Sequence, residues 1–204
     1  YFWVAEAYPF LSMYANPHFP AGLALMIAAL IANRKKWVWG LVIGTTLAIV
    51  QPFAVVIISV ILFMEYFDSV LRAGKLTVDQ FIAKKKNLFW MIGFGFGGGL
   101  LLLFQYHSIL TDPALAAWNQ QNQTPSPSLP DILLSFSPLL LLVFIGVKSS
   151  WQSVIGRRMI IWVGVCALLI MLPWNLQRRF ISGFYIPLIF LGVMGIKNII
   201  DRTG

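Results

Sequence analysis

Charge is scarce in this sequence: 11% of its 204 residues are Asp, Glu, Lys or Arg, against about 25% in a soluble domain, while 59% are apolar. That shortage excludes a water-soluble fold. Polar/apolar alternation is also missing, which excludes a β-barrel and leaves apolar runs such as Trp37 to Phe67 and Leu88 to Phe104 to cross hydrocarbon as helices. The single cysteine, Cys166, lies inside an apolar run, where a thiol behaves as a small hydrophobe and carries no information about redox compartment. With two histidines and seven acidic residues, no group has metal-ligand spacing, and no metal is expected. No serine or cysteine stands in a nucleophile motif, and the glycine run Gly93 to Gly99 lacks the following Lys-Ser/Thr of a phosphate loop. A basic n-region and a small-residue cleavage site are absent as well, and the chain opens at Tyr1, so it is expected to be part of a longer protein.

What is present is a succession of apolar segments separated by basic ones. The net charge of +8 points to topology rather than to nucleic acid, because lysines and arginines collect on the cytoplasmic side of a membrane protein. Residues 1–18 are aromatic and end in the turn-like Asn16-Pro17-His18, an external interfacial segment. Phe19 to Ala32 then reaches Arg34-Lys35-Lys36 on the inside. Trp37 to Phe67 is too long for one crossing: as a helix it would measure about 46 Å against about 30 Å of hydrocarbon. Gln51-Pro52 lies near its middle, and a proline there removes a helical hydrogen bond, so the run divides into two short antiparallel segments. Residues 68–87 form a cytoplasmic loop, Leu88 to Tyr106 crosses outward, and 107–130 is an external loop without a lysine or arginine. Three further segments, about Asp131 to Val147, Met159 to Pro173 and Phe184 to Ile196, complete an all-α, polytopic bundle of about seven short spans in a single transmembrane domain, 1–204.

Within the cytoplasmic loop, Thr77 and Gln80 resemble a capping box. Val78, Phe81 and Ile82 share a face before Lys84-Lys85-Lys86, which reads as one interfacial amphipathic helix on anionic lipid. Gly93 and Gly97 have the four-residue spacing that lets membrane helices approach closely, a surface for partner helices. Near the inner face, Glu65, Asp68 and Arg72 have the spacing of a solvated helix end with an ion pair.

In this topology every basic residue is cytoplasmic except Arg178 and Arg179, which share the short external turn Trp174 to Phe180. Two guanidinium forks in a tight turn suit a phosphate, and a lipid phosphate is the nearest source; contact with outer headgroups, or a bridge to Glu6 or Asp112, is the structural alternative. The other external ionisable groups are Glu6, His18, His107, Asp112 and Asp131. Asp131 follows Pro130 at a helix start, as a cap or dipole partner does, and Asp112 precedes a proline, a turn use. Glu6 has aromatic neighbours, and burying a carboxylate among them would make it a candidate general base. Asn122-Gln123-Thr124 matches a glycosylation sequon, a common three-residue pattern.

The external segment Asp112 to Pro127, with Trp118 and Asn122, and the hairpin Leu172 to Pro187, with Trp174, Gln177, Arg178 and Arg179, resemble parts of uncharacterised bacterial polytopic proteins similar to the GT-C glycosyltransferases. The Asn16-Pro17-His18 start of a helix is similar too. The resemblance implies an integral protein of the bacterial inner (plasma) membrane and a polyprenyl-phosphate-linked sugar donor used on the external face. It further implies an external cavity bordered by His18, Asp112, Trp118, Asn122, Trp174 and Gln177, donor phosphate held by Arg178 and Arg179, and a catalytic acid in the first external loop. The acidic-pair motif of that loop is not in this sequence, which leaves Glu6 as the nearest carboxylate and places the family's acid upstream.

The competing expectation is a non-catalytic membrane subunit of a larger complex, for example an energy-transducing one, with a pigment or haem on His18 or His107. A visible absorption spectrum of the purified protein separates the two. A colourless protein is expected of the transferase, whereas a band lost on His107→Ala would establish the subunit.

Overall fold

The computed structural model describes residues 18–32, 36–72, 78–173 and 176–203. Among these the fold is helical throughout, with no strand. In chain order the helices are α1 (His18–Ile31), α2 (Trp37–Val50), α3 (Pro52–Arg72), α4 (Val78–Thr111), α5 (Pro113–Gln121), α6 (Leu129–Ser150) and α7 (Val154–Met171). A 3-10 turn, Gln177–Ile181, precedes α8 (Tyr185–Thr203). The segments Pro52–Arg72, Lys84–Thr111, Leu129–Ser150 and Val154–Met171 are long and apolar enough to cross a membrane. The chain is an integral membrane protein. Both α1 and α2 are apolar but only 14 residues long, about 21 Å at a helical rise. Large apolar side chains such as Phe63, Phe96, Phe104, Leu141, Phe144 and Val193 are exposed, as lipid contact requires.

The helix boundaries follow from local chemistry. The residue before a proline is driven out of the α region, and Gln51 accordingly leaves helix α2 with φ −152° and ψ 81°. Pro52 then starts α3, where its missing N–H costs nothing. Asp112 caps α5 by accepting from the backbone N–H groups of Ala114 and Leu115. Ser128 caps α6 and Ser153 caps α7, accepting from Asp131 N–H and Gly156 N–H. At the end of α3, Arg72 Nε lies 2.7 Å from Asp68 Oδ1, an i,i+4 ion pair on a partly exposed helix end.

Two compact units are present, residues 16–123 and residues 124–204 with 1–15. In the first, contacts along the helices establish directions. Gly40 and Gly44 of α2 meet Trp90 and Phe94 of α4, Gly97 meets Leu41, and Gln105 Nε2 donates to Ala48 O at 3.3 Å. Numbers rise together on both helices, so α2 and α4 are parallel. Conversely, Val55 of α3 lies against Gly98 while Ser69 O accepts from Lys84 Nζ at 2.8 Å, so α3 is antiparallel to α4. The chain therefore reverses at Gln51-Pro52, as its sequence led us to expect. Gly22 of α1 packs on the buried Gln51 side chain, which makes α1 antiparallel to α2.

The second unit repeats this plan. Phe136 of α6 meets Phe184 just before α8 with ring centroids 5.6 Å apart, Gly146 meets Leu191 and Gly195, and Asn198 Nδ2 donates to Ile145 O and Ser149 Oγ at 3.0 and 2.8 Å. Helices α6 and α8 are thus parallel and in direct contact, and α7, which joins them in the chain, packs beside them. Within the first unit, Lys36, Arg72 and Lys84 to Lys86 occupy the end where α2 and α4 begin. In the second, Lys148, Arg157, Arg158, Lys197 and Arg202 occupy the end where α6 and α8 finish. Relative to its basic end, the three-helix plan of one unit is therefore run in the opposite sense by the other.

Two segments differ from the sequence expectation. The amphipathic segment and the following span are one continuous helix, α4, because no proline or glycine separates the lysine cluster from Leu88 and lysine is a good helix former. The polar stretch after residue 107 contains the last turn of α4 and all of α5, since the Asp112-Pro113 pair both caps and starts a helix.

The glycine seams are testable. A Cβ at Gly97 or Gly195 would collide with the carbonyl oxygen of Leu41 or Leu142, whereas one at Gly95, Gly99 or Gly164 would meet nothing. We expect Gly97→Ala and Gly195→Ala to destabilise by about 1–3 kcal/mol, the usual cost of overpacking. Gly95→Ala and Gly164→Ala should be neutral or slightly stabilising. Thermal unfolding in detergent checks both.

Candidate functional site

The turn that carries Arg178 and Arg179 belongs to the second unit, between α7 and α8. It is shaped by three features. Gly183 takes φ 72°, a left-handed conformation open to glycine at little cost, and so turns the chain from the 3-10 segment into α8. Phe180, Ile181 and Phe184 are buried and anchor the turn to the unit. Finally, the strand-like stretch before α6 is tied across it: Arg178 N–H donates to Thr124 O at 3.1 Å, and Ser126 N–H donates to Gln177 Oε1 at 2.9 Å. Gln177 also donates through Nε2 to Leu172 O, so one amide side chain holds three segments together.

Both arginine side chains are half-exposed, with their Nε atoms shielded from solvent. This burial restrains the guanidinium groups while part of each remains accessible. Next to the turn, a cavity of about 390 Å³ lies between α6 and α7. Ser126, Pro127 and Gln177 line its mouth, and its walls descend through Leu133, Phe136 and Leu140 on one side and through Ile170, Cys166 and Val163 on the other. From Leu129 to Leu140 this is about 16 Å of helix. The lining is aliphatic and aromatic apart from the mouth and the buried Cys166.

The remaining sequence-predicted residues lie apart from the turn or outside the described residues. Glu6 and Trp174 lie outside the described residues. His18 is exposed at the start of α1, its ring 4.2 Å from that of Phe19. Asp112, Trp118 and Asn122 share the α5 stretch of the first unit: Asp112 is the N-cap, Trp118 is exposed, and Asn122 Nδ2 donates to Trp118 O at 2.8 Å. His107 is exposed in the last turn of α4, its carbonyl accepting from Thr111 Oγ1. Asp131 stands in the first turn of α6, where its charge complements the helix dipole. Gln177, Arg178 and Arg179 are thus brought together with Thr124 and Ser126. Sequence reasoning missed those two partners, although the Thr-Pro-Ser-Pro spacing marks a stretch that forms no helix and leaves backbone groups to pair elsewhere. Gly93 and Gly97 admit a helix of the same chain, α2, through Trp37 O and Leu41 O. Among the described residues no three or more His, Cys, Asp or Glu side chains gather as a metal site would need.

Fold and cavity together define a polytopic helical membrane protein with an apolar cavity lined in part by Gln177, Ile181 and Phe184 of the connection between α7 and α8. Comparison of the chain with protein families, with curated proteins and with solved structures finds no match.

Gln177→Ala should leave Ser126 N–H and Leu172 O without their partner, at a cost of about 1–3 kcal/mol if both are shielded from water. Amide exchange measured by mass spectrometry should then quicken in 124–127 and 176–181 but not in α2 or α4.

Proposed function

We propose that this chain is the membrane portion of a GT-C-like glycosyltransferase that takes a polyprenyl-phosphate-linked sugar on its external face. The reading is supported chiefly by the apolar cavity between α6 and α7 beside the turn that carries Arg178 and Arg179. A prenyl chain is apolar, flexible and narrow, and would descend along Leu133, Phe136 and Leu140. Its phosphate would then lie at the mouth, within reach of the two guanidinium groups. Planar forks hold phosphate oxygens with two parallel hydrogen bonds and stay ionised, so they would stabilise the charge that builds on the departing phosphate. Removing the acceptor's hydroxyl proton requires a carboxylate. In this sequence Glu6 is the candidate, and an acid of the rest of the protein would take the role if the chain is the later part of a longer one.

The same reading assigns seven membrane segments, with α1, α2 and α8 crossing as well as the four longer candidates. It has the basic end of each unit in the cytoplasm and the arginine turn outside. Support comes from the alternating directions within each unit and from the segregation of basic side chains to one end, since lysine and arginine are retained on the cytoplasmic side.

Binding of a fluorescent polyprenyl phosphate to the protein in detergent tests the site. Replacing both Arg178 and Arg179 by Gln should weaken it by at least tenfold, the order expected for a lost charge-assisted hydrogen bond of about 1.5–3 kcal/mol. The double Lys variant, which retains charge without the fork, should recover part of that loss. Undiminished binding by the Gln variant would sink the proposal.

A further inference from the structure

A second apolar concavity lies in the first unit, on the side of the α4 glycine run that faces the basic end. It has a volume of about 500 Å³ and is lined by Trp37 of α2 and by Phe89, Ile92, Gly93 and Phe96 of α4. Gly93 forms its floor, since the α2 backbone at Trp37 O closes against it. Trp37, Phe89, Ile92 and Phe96 are each more than half exposed, so the groove faces out of the unit along its length. Phe89, Ile92 and Phe96 follow one another at helical spacing on a single face of α4, and one turn before Phe89 the same stripe carries Lys85. The Lys85 ammonium stands 5.9 Å from the centre of the Phe89 ring. Across the groove, Lys36 is exposed immediately before Trp37. The neighbouring Lys84 is directed elsewhere, donating to Ser69 O of α3, and Lys86 is about 100° round the helix from Lys85.

We propose that this groove binds one anionic membrane lipid of the cytoplasmic leaflet, its acyl chain along Ile92 and Phe96 and its phosphate between Lys36 and Lys85. Charge complementarity selects that occupant. An apolar trough with the Lys85 ammonium near its Phe89 wall and an exposed lysine, Lys36, next to its Trp37 wall has the amphipathic pattern of a lipid with a negative headgroup. Trp37, the residue after Lys36, is the kind of aromatic residue that settles at the headgroup boundary. This site is independent of the arginine turn, which lies in the other unit. It narrows the general attraction of a lysine cluster for anionic lipid to one stripe of α4 and one flank of α2.

The test uses the full chain reconstituted in phosphatidylcholine vesicles, with spin-labelled phosphatidylglycerol or spin-labelled phosphatidylcholine as probes and the motionally restricted fraction as the readout. The wild-type protein should select phosphatidylglycerol. Lys36→Gln with Lys85→Gln should reduce that selectivity by about fivefold or more, the order expected for basic residues near an anionic headgroup. Lys86→Gln should change it less than twofold. Ile92→Trp, which fills the groove at an exposed position and leaves both lysines intact, should abolish the preference. Three results would overturn the proposal: no selectivity in the wild type, equal sensitivity to Lys86→Gln, which would mean only a diffuse surface potential, or selectivity surviving Ile92→Trp. A dimer that Ile92→Trp dissociates, with no restricted lipid, would likewise overturn it by seating a second copy in the groove.

Discussion

Between helices in hydrocarbon there is no hydrophobic force to press them together, because lipid chains are as apolar as leucine. Association then depends on how closely two backbones approach, and in this protein that approach is set by glycines facing carbonyl oxygens. At Gly40, Gly44, Gly93 and Gly97 in one unit, and at Gly146 and Gly195 in the other, the space a Cβ would fill is occupied by a carbonyl oxygen of the facing helix. This is the setting of Cα–H···O contacts, individually weak and effective only where several line up. Each seam also has an amide clamp. Gln105 reaches Ala48 O, and Asn198 reaches Ile145 O, in both cases from the third helix of the set to the later part of the first. Two sequences with little in common have reached the same device.

The rest of the architecture follows from those seams. If the first and third helices of a set are parallel, the second has to return between their ends, and it cannot share the closest contact. The returning helix α7 touches α6 less intimately than α8 does, and the cavity opens along that looser boundary. Beside its mouth the chain passes from α7 into α8. A 3-10 turn, a glycine at positive φ and three buried aromatic or aliphatic anchors accomplish the passage. The arginines therefore stand on a connection braced by buried anchors and by hydrogen bonds to residues 124 and 126.

Electrostatics divides the work between the ends of the units. Basic side chains gathered at one end orient a membrane protein by their number, with little demand on geometry. Arg178 and Arg179 stand at the opposite end of their unit, with Nε atoms shielded and backbone tied to residues 124 and 126. At the basic end of the other unit, Lys85 stands beside the ring of Phe89, which lines an apolar groove, whereas Lys84 donates to Ser69 O of α3.

Local chemistry was legible without a structure. Scarce charge and long apolar runs established a helical membrane protein, the residue before Pro52 had to leave the helix, and Asp68 and Arg72 could pair because four residues bring side chains to one face. Each of these depends on neighbours along the chain. Tertiary structure decided the properties that depend on register between distant segments. It turned Gly93 and Gly97 toward α2 of the same chain, joined the lysine cluster to α4 in one helix, and brought Gln177 to Ser126 across fifty-one residues. It also opened an apolar cavity against Gln177 and Ile181, in the turn whose two arginines were conspicuous in the sequence only for breaking a charge rule. A cavity is the space left by packing, and a linear sequence specifies its walls without stating which of them will face one another.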